Sequence, residues 1–220
     1  MWNALKMKEP VNTWTHFVTC LAAVVGLVYL ILLSRENIST LITMTIYGIS
    51  LILLYAASSI YHWVKTTPKK ELILKKIDHC AIYLLIAGSY TPVFYHGLDG
   101  LWRTVMLTVI WVMCVIGIVL KIAFIHLPRN VSTAFYVTLG WIAVIPFVKL
   151  VEVLPLGAII LMIVGGVLYT IGSIIYATKI FDFFPQKFGF HEIFHLFISA
   201  GSGVHFAMMV AYIIPLGMQS

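Results

Sequence analysis

Apolar residues gather along this chain in runs of about 20, separated by short polar breaks. Stretches such as 21–33, 46–57 and 154–177 carry hardly a charge. A helix needs about 20 apolar residues to cross roughly 30 Å of hydrocarbon. The pattern predicts seven transmembrane helices near 14–33, 39–64, 77–97, 101–124, 131–150, 155–177 and 189–213. The breaks are chemically suited to their place: Ser34-Arg35-Glu36-Asn37, a lysine-rich loop at 65–76, Gly97 to Gly100, Pro128-Arg129-Asn130, and the segments 152–155 and 182–187. The expected fold is an all-α integral membrane bundle forming a single domain over 1–220, with neither a soluble domain nor an internal repeat.

Composition sharpens the class. The chain of 220 residues is 61% hydrophobic and 10% charged, whereas a soluble domain is about 25% charged. Its few charges cannot coat a surface that faces water. The net charge of +6 does not point to nucleic acid, because the basic residues sit in short connecting loops. Cys20, Cys80 and Cys114 are far apart and odd in number, which excludes a disulfide framework and suits small apolar filler. The first apolar run is long and lacks a small-residue cleavage site, so it is read as a retained span rather than a signal peptide.

Orientation follows from Lys and Arg. With the N-terminus in the cytoplasm, Arg35, Arg103 and Lys149 are the outer basic residues, and the other eleven of the 14, Lys6 and Lys187 among them, fall inside. The C-terminus is then outside. Trp14, Trp63 and Trp102 lie near span ends, where aromatic belts form. Gly165, Gly166 and Gly172 suit close helix packing, and the lysine-rich loop suits contact with anionic headgroups.

Against this background the polar residues inside spans need a reason, because ionisable groups are costly there. Ser58 and His62 form S-x-x-x-H, and His191 and His195 form H-x-x-x-H. Residues four apart share one helix face. Asp78 opens the third span. The orientation places all five at the cytoplasmic leaflet. His62, His191 and His195 supply three nitrogens, and three protein ligands with an open fourth position is the arrangement of catalytic zinc. Bound Zn2+ would lower the pKa of a water to about 7. Asp78 would orient or deprotonate that water, and Ser58 would hydrogen-bond a ligand oxygen. The competing structural reading is that each histidine merely packs and hydrogen-bonds.

His191-Glu192-Ile193-Phe194-His195 also spells H-E-x-x-H, a metalloprotease signature. No Asp or Glu follows Glu192, and His205 lies ten residues past His195, not at the metzincin spacing of six. Glu192 can equally be an acid that favours a helix start. Glu9, Asn12, Thr15 and His16 lie on the same leaflet, where Asn12 caps the first span or helps His16 close the site. His79 points about 100° away from Asp78. His96 and His126 are expected to be solvated at span ends, and His205 to hydrogen-bond across a helix pair.

The combination of Glu9-Pro10-Val11-Asn12-Thr13-Trp14-Thr15-His16, Ser58-x-x-x-His62, Asp78 and His191-x-x-x-His195 resembles the hemolysin III branch of the progestin and adipoQ receptor (PAQR) family, which includes the adiponectin receptors. The resemblance implies seven helices inverted relative to G-protein-coupled receptors, with Zn2+ held by His62, His191 and His195, and with Asp78 and Ser58 beside it. A wider similarity to alkaline ceramidases implies metal-dependent hydrolysis of a lipid amide or ester in the cell (plasma) membrane, with membrane lipids as partners. Two other readings stay open: a zinc-stabilised lipid sensor without catalysis, and a pore-forming hemolysin. The latter lacks a polar stripe down any helix.

Overall fold

Prolines and small polar residues mark where the helices of this chain begin. The computed structural model describes residues 7–184 and 188–219, so Lys6 and Lys187 lie outside the described residues. Helix α1 (Pro10–Ser34) has Pro10 in its first turn, where a missing N–H costs nothing. Helix α2 (Ile38–Trp63) is capped by Asn37, whose side chain accepts the Thr40 N–H at 3.1 Å. Helix α3 (Pro68–Gly97) again starts on a proline. Then come α4 (Gly100–Ala123), α5 (Arg129–Gly140), a 3-10 turn (Ile142–Val144), α6 (Phe147–Val153), α7 (Leu156–Thr178) and α8 (Phe190–Met208). The last helix runs on through a π segment, Met209–Ile213, into α9 (Ile214–Gly217). Pro215 follows immediately and lacks an N–H, and the wider π turn accommodates it.

Among the described residues, five helices are long and apolar enough to cross a membrane: α1, α2, α4, α7 and the α8–α9 unit. A sixth crossing arises if α5 and α6 count as one broken span. The segment expected as a span at 131–150 is broken in two. The helix bends by 50° there, because Pro146 supplies no N–H and its ring blocks the preceding turn. The third span is also redrawn: α3 begins at Pro68 and takes residues 69–76 of the lysine-rich segment into the helix.

Helix α3 falls outside the apolar set because it is lined by protein. It packs against α2, α4, α5, α6 and the π segment, and its polar side chains are met there. The Tyr90 hydroxyl donates to the Gly140 carbonyl, and Trp111 Nε1 donates to Thr91 Oγ1 at 3.2 Å. His96 is buried and sits 3.1 Å from Thr43 Oγ1. That corrects the expectation of a solvated His96, since α2 covers it; His126 is exposed as expected. Around this core the outward side chains are Val, Leu and Ile, as at Val25, 70% exposed, so the surface suits lipid rather than water. The contacts of α1 with α2 and α8, and of α7 with α5 and α8, close the bundle.

Helices α2 and α3 meet most closely at Gly88, where an added Cβ would lie 2.6 Å from Ser50 Cβ. Gly88→Val is expected to cost about 1–3 kcal/mol through overpacking, read as a fall of several degrees in Tm in detergent. Gly203→Ala, with nothing within 4 Å, should leave Tm unchanged or slightly raised.

Candidate metal centre

Three helix ends meet where the polar residues collect: the start of α1, the last turn of α2 and the first turns of α8. His62 ends α2, while His191 and His195 lie one turn apart on α8. One ring nitrogen from each of these three falls within 4.8 Å of the others. Their ring centroids form a near-equilateral triangle with sides of 5.0, 4.9 and 4.9 Å. His62 and His195 are buried and His191 is half-buried, which leaves one side of the cluster accessible.

The segment ahead of α1 holds the cluster in shape. The Lys8 N–H donates to the Trp63 carbonyl at 3.1 Å, and the Glu9 N–H donates to the His62 carbonyl at 2.9 Å. That pairing sets the Glu9 carboxylate against the rings. His62 Nδ1 donates to Glu9 Oε2 at 2.7 Å, and His191 Nδ1 lies 3.7 Å from the same oxygen. Thr15 Oγ1 is 3.5 Å from His195 Nδ1. With Nδ1 engaged, the Nε2 of His62 is left to face an ion, the tautomer that a ligand histidine needs. Burial alone would raise the Glu9 carboxyl, but the hydrogen bond and charge of His62, with help from Asn12 and His191, draw it down to about 2. It is a carboxylate at neutral pH. The donor set fits a divalent ion: three imidazoles from two helices, one of them oriented by a carboxylate.

Asn12 extends the clasp. Its Nδ2 donates to Glu9 Oε2 at 2.9 Å and to Glu192 Oε1 at 2.9 Å. The other oxygen of Glu192 accepts the Gly189 N–H at 2.8 Å and so caps α8. Both carboxylate oxygens of Glu192 are thus engaged in structure, which disfavours the general-base role that H-E-x-x-H would require. His16 lies deeper: its ring stacks on His195 with centroids 3.7 Å apart, and its Nδ1 is hydrogen-bonded to Ser58 Oγ at 2.8 Å. His16 is buried and its Nε2 has no partner among the described residues.

A cavity of about 800 Å³ adjoins the cluster. At the polar end it is lined by Glu9, His16, Ser58, Asp78, His191 and His195, and further in by apolar residues such as Val93, Phe147, Met162 and Met208. Asp78 is buried in this wall and has His62 and Ser58 as electrostatic neighbours. His79 donates its Nδ1 hydrogen to the Lys75 carbonyl at 2.8 Å, yet that nitrogen also lies 3.5 Å from Asp78 Oδ2 on the cavity wall, which corrects the expectation that it points away from Asp78. His205 Nε2 donates across to the Met162 carbonyl at 3.2 Å, a helix-pair bond as expected. Ser58, His62, Asp78, His191 and His195 all come to one end of the bundle. The sequence reading missed how central Glu9, Asn12 and His16 are, although their spacing of i, i+3 and i+7 puts them on one helix face.

A multi-pass helical membrane protein with a buried three-histidine cluster at one end is the class these features define. The chain belongs to the hemolysin III family, within the PAQR group: the family described as Haemolysin-III related matches residues 5–206. It is 34% identical over 211 residues to Hemolysin-3 of Bacillus cereus, covering 94% of this chain and 93% of that one. It is equally 34% identical to the Hemolysin-3 homolog of Bacillus subtilis, over 95% of this chain and 96% of the relative. The Adiponectin receptor protein of Drosophila melanogaster is 27% identical over 90% of this chain, which spans 49% of that longer protein.

Removing the carboxylate that orients His62 should weaken the site without emptying it of ligands. Glu9→Ala is expected to lower the affinity of the cluster for an added divalent ion about 10- to 100-fold, measured by chelator competition. Glu192→Gln should change that affinity little, because Gln keeps an acceptor for the Gly189 N–H.

Proposed function

We propose that the protein is a Zn2+-dependent hydrolase of lipid amide or ester bonds. In this reading it crosses the cell (plasma) membrane seven times, with α3 as the seventh span, its N-terminus in the cytoplasm and its C-terminus outside. One observation carries the proposal: three imidazole nitrogens lie within 4.8 Å of one another, and two of those rings, His191 and His195, line with Asp78 and Ser58 a cavity whose wall also carries a run of apolar side chains. Such a cavity accepts an acyl chain along its wall and a polar bond at its end. A divalent ion held by His62, His191 and His195 would supply Lewis acidity to a carbonyl and acidity to water.

The chain's own residues then perform the rest. The Asp78 carboxylate accepts a proton from water and returns it to the leaving amine or alcohol. Ser58, held by His16, orients polar groups near the carbonyl. Glu9 keeps the His62 ring in register, and the apolar wall excludes bulk water from the lipid. A sensor reading draws on a different observation: the clasp of Glu9, Asn12 and Glu192 ties α1, α2 and α8 together, so an ion there would also staple the bundle. Pore formation, suggested by the names of the Bacillus relatives, has less support, since no helix among the described residues carries a polar stripe down its length.

The two leading readings separate at Asp78. In a hydrolase, Asp78→Ala retains bound zinc by elemental analysis and loses at least 100-fold in turnover of lipid amides, within the usual range for a proton-transfer group. In a sensor that substitution changes little, and chelation lowers Tm with no turnover at any stage. His191→Ala that loses zinc yet still hydrolyses lipid would overturn the hydrolase mechanism.

A further inference from the structure

The cavity has a second polar feature besides the histidines. Lys121, in the last turn of α4, is 4% exposed. A lysine that merely reaches for the membrane surface leaves its ammonium in water. This one turns into the bundle, where its Nζ donates to Ser132 Oγ at 3.0 Å. An ammonium has three N–H donors, and that hydroxyl is its one hydrogen-bond partner among the described residues. No carboxylate lies within 4.0 Å of it among them. A buried, unpaired charge is among the most costly groups a membrane protein can hold.

The surroundings add positive charge instead of balancing it. Lys75 and Arg129 line the same cavity as Lys121 and Ser132. The Arg129 guanidinium is satisfied by the Tyr176 carbonyl at 3.2 Å and by the rings of Tyr176 and Phe190. Asp78 is the acidic group that Lys121 feels, with Lys75 opposing it. Glu9, the other carboxylate on the cavity wall, is engaged by His62 and Asn12. Lys121 and Lys75 therefore share one carboxylate, Asp78, which Ser58, His62 and His79 also approach.

We propose that Lys121, with Ser132 and Lys75, forms an oxyanion station: a subsite for a carboxylate or phosphate carried by the amphiphile whose chain fills the cavity. The station narrows the ligand to anionic amphiphiles, with the anion seated beside Asp78 and the chain along the apolar wall. It rests on the reading of the cavity as a lipid's seat, but the anion preference appears in binding and needs no turnover.

The test uses the full-length protein in phosphatidylcholine nanodiscs, with laurate, dodecyl phosphate, dodecanol and inorganic phosphate as probes and thermal shift as readout. Laurate and dodecyl phosphate should raise Tm and bind about 10- to 100-fold more tightly than dodecanol, the worth of a charge-assisted hydrogen bond. Lys121→Met should erase that difference while keeping Tm, since an apolar isostere relieves a buried charge; Lys121→Arg should keep the preference. Stabilisation by inorganic phosphate alone, lost in Lys121→Met, would support the station with a free anion as its source. His191→Ala should retain the preference whether or not the protein is a hydrolase. Equal binding of dodecanol and laurate would overturn the proposal. So would a preference that survives Lys121→Met, or one that disappears with His191→Ala, which would put the anion at the histidines.

Discussion

A polar side chain inside a hydrocarbon-bounded bundle persists only where another polar group meets it, and in this protein that constraint is concentrated in the bond between Glu9 and His62. The carboxylate at the mouth of α1 fixes the ring that ends α2. The same oxygen accepts from Asn12, and Asn12 reaches Glu192 at the head of α8. One chain of hydrogen bonds thereby links three helices that are distant in sequence. Without it, the buried His62 imidazole and the buried Asn12 amide would lose partners at the same time. Each such loss costs about 1–3 kcal/mol, so the network is best regarded as a single unit rather than as separate contacts.

The rest of the architecture serves that end of the bundle. Helix α3 packs against α2, α4, α5, α6 and the π segment and carries Asp78 into the cavity wall. The outward faces are apolar and inert by comparison. Function in this fold is thus separated from the lipid-facing surface. The polar cluster lies at one end, a chamber with apolar walls adjoins it, and a buried cation, Lys121, lines that chamber too. Such a layout suits a ligand with an apolar body and a polar end.

The partners in the site are unequal in kind. His191 and His195 are neighbours on one helix, so their mutual geometry comes almost free with α8. His62 must be brought from another helix, and it is the ring with the short carboxylate contact. The residue whose position is least guaranteed by local structure is the one that long-range hydrogen bonding holds. His16 is the converse: it is buried, stacked on His195 and bonded to Ser58, and its place is set by packing rather than by a charge.

Local periodicity determined much of this protein. Apolar runs located the helices, because hydrocarbon leaves a spanning backbone no other way to satisfy its polar groups. The i, i+4 pairs marked Ser58 with His62 and His191 with His195, since neighbours on a helix face need no knowledge of the fold. Pro146 and Pro68 were visible too, although their effects on the fifth span and on the start of α3 depended on what packed around them. Tertiary structure alone decided the rest. That Glu9 turns onto His62, that Glu192 is spent on Asn12 and the cap of α8, that His96 is covered by α2, and that Lys121 points inward are all outcomes of how separate helices dock. Distances between residues far apart in sequence carry no signature in the spacing of either one.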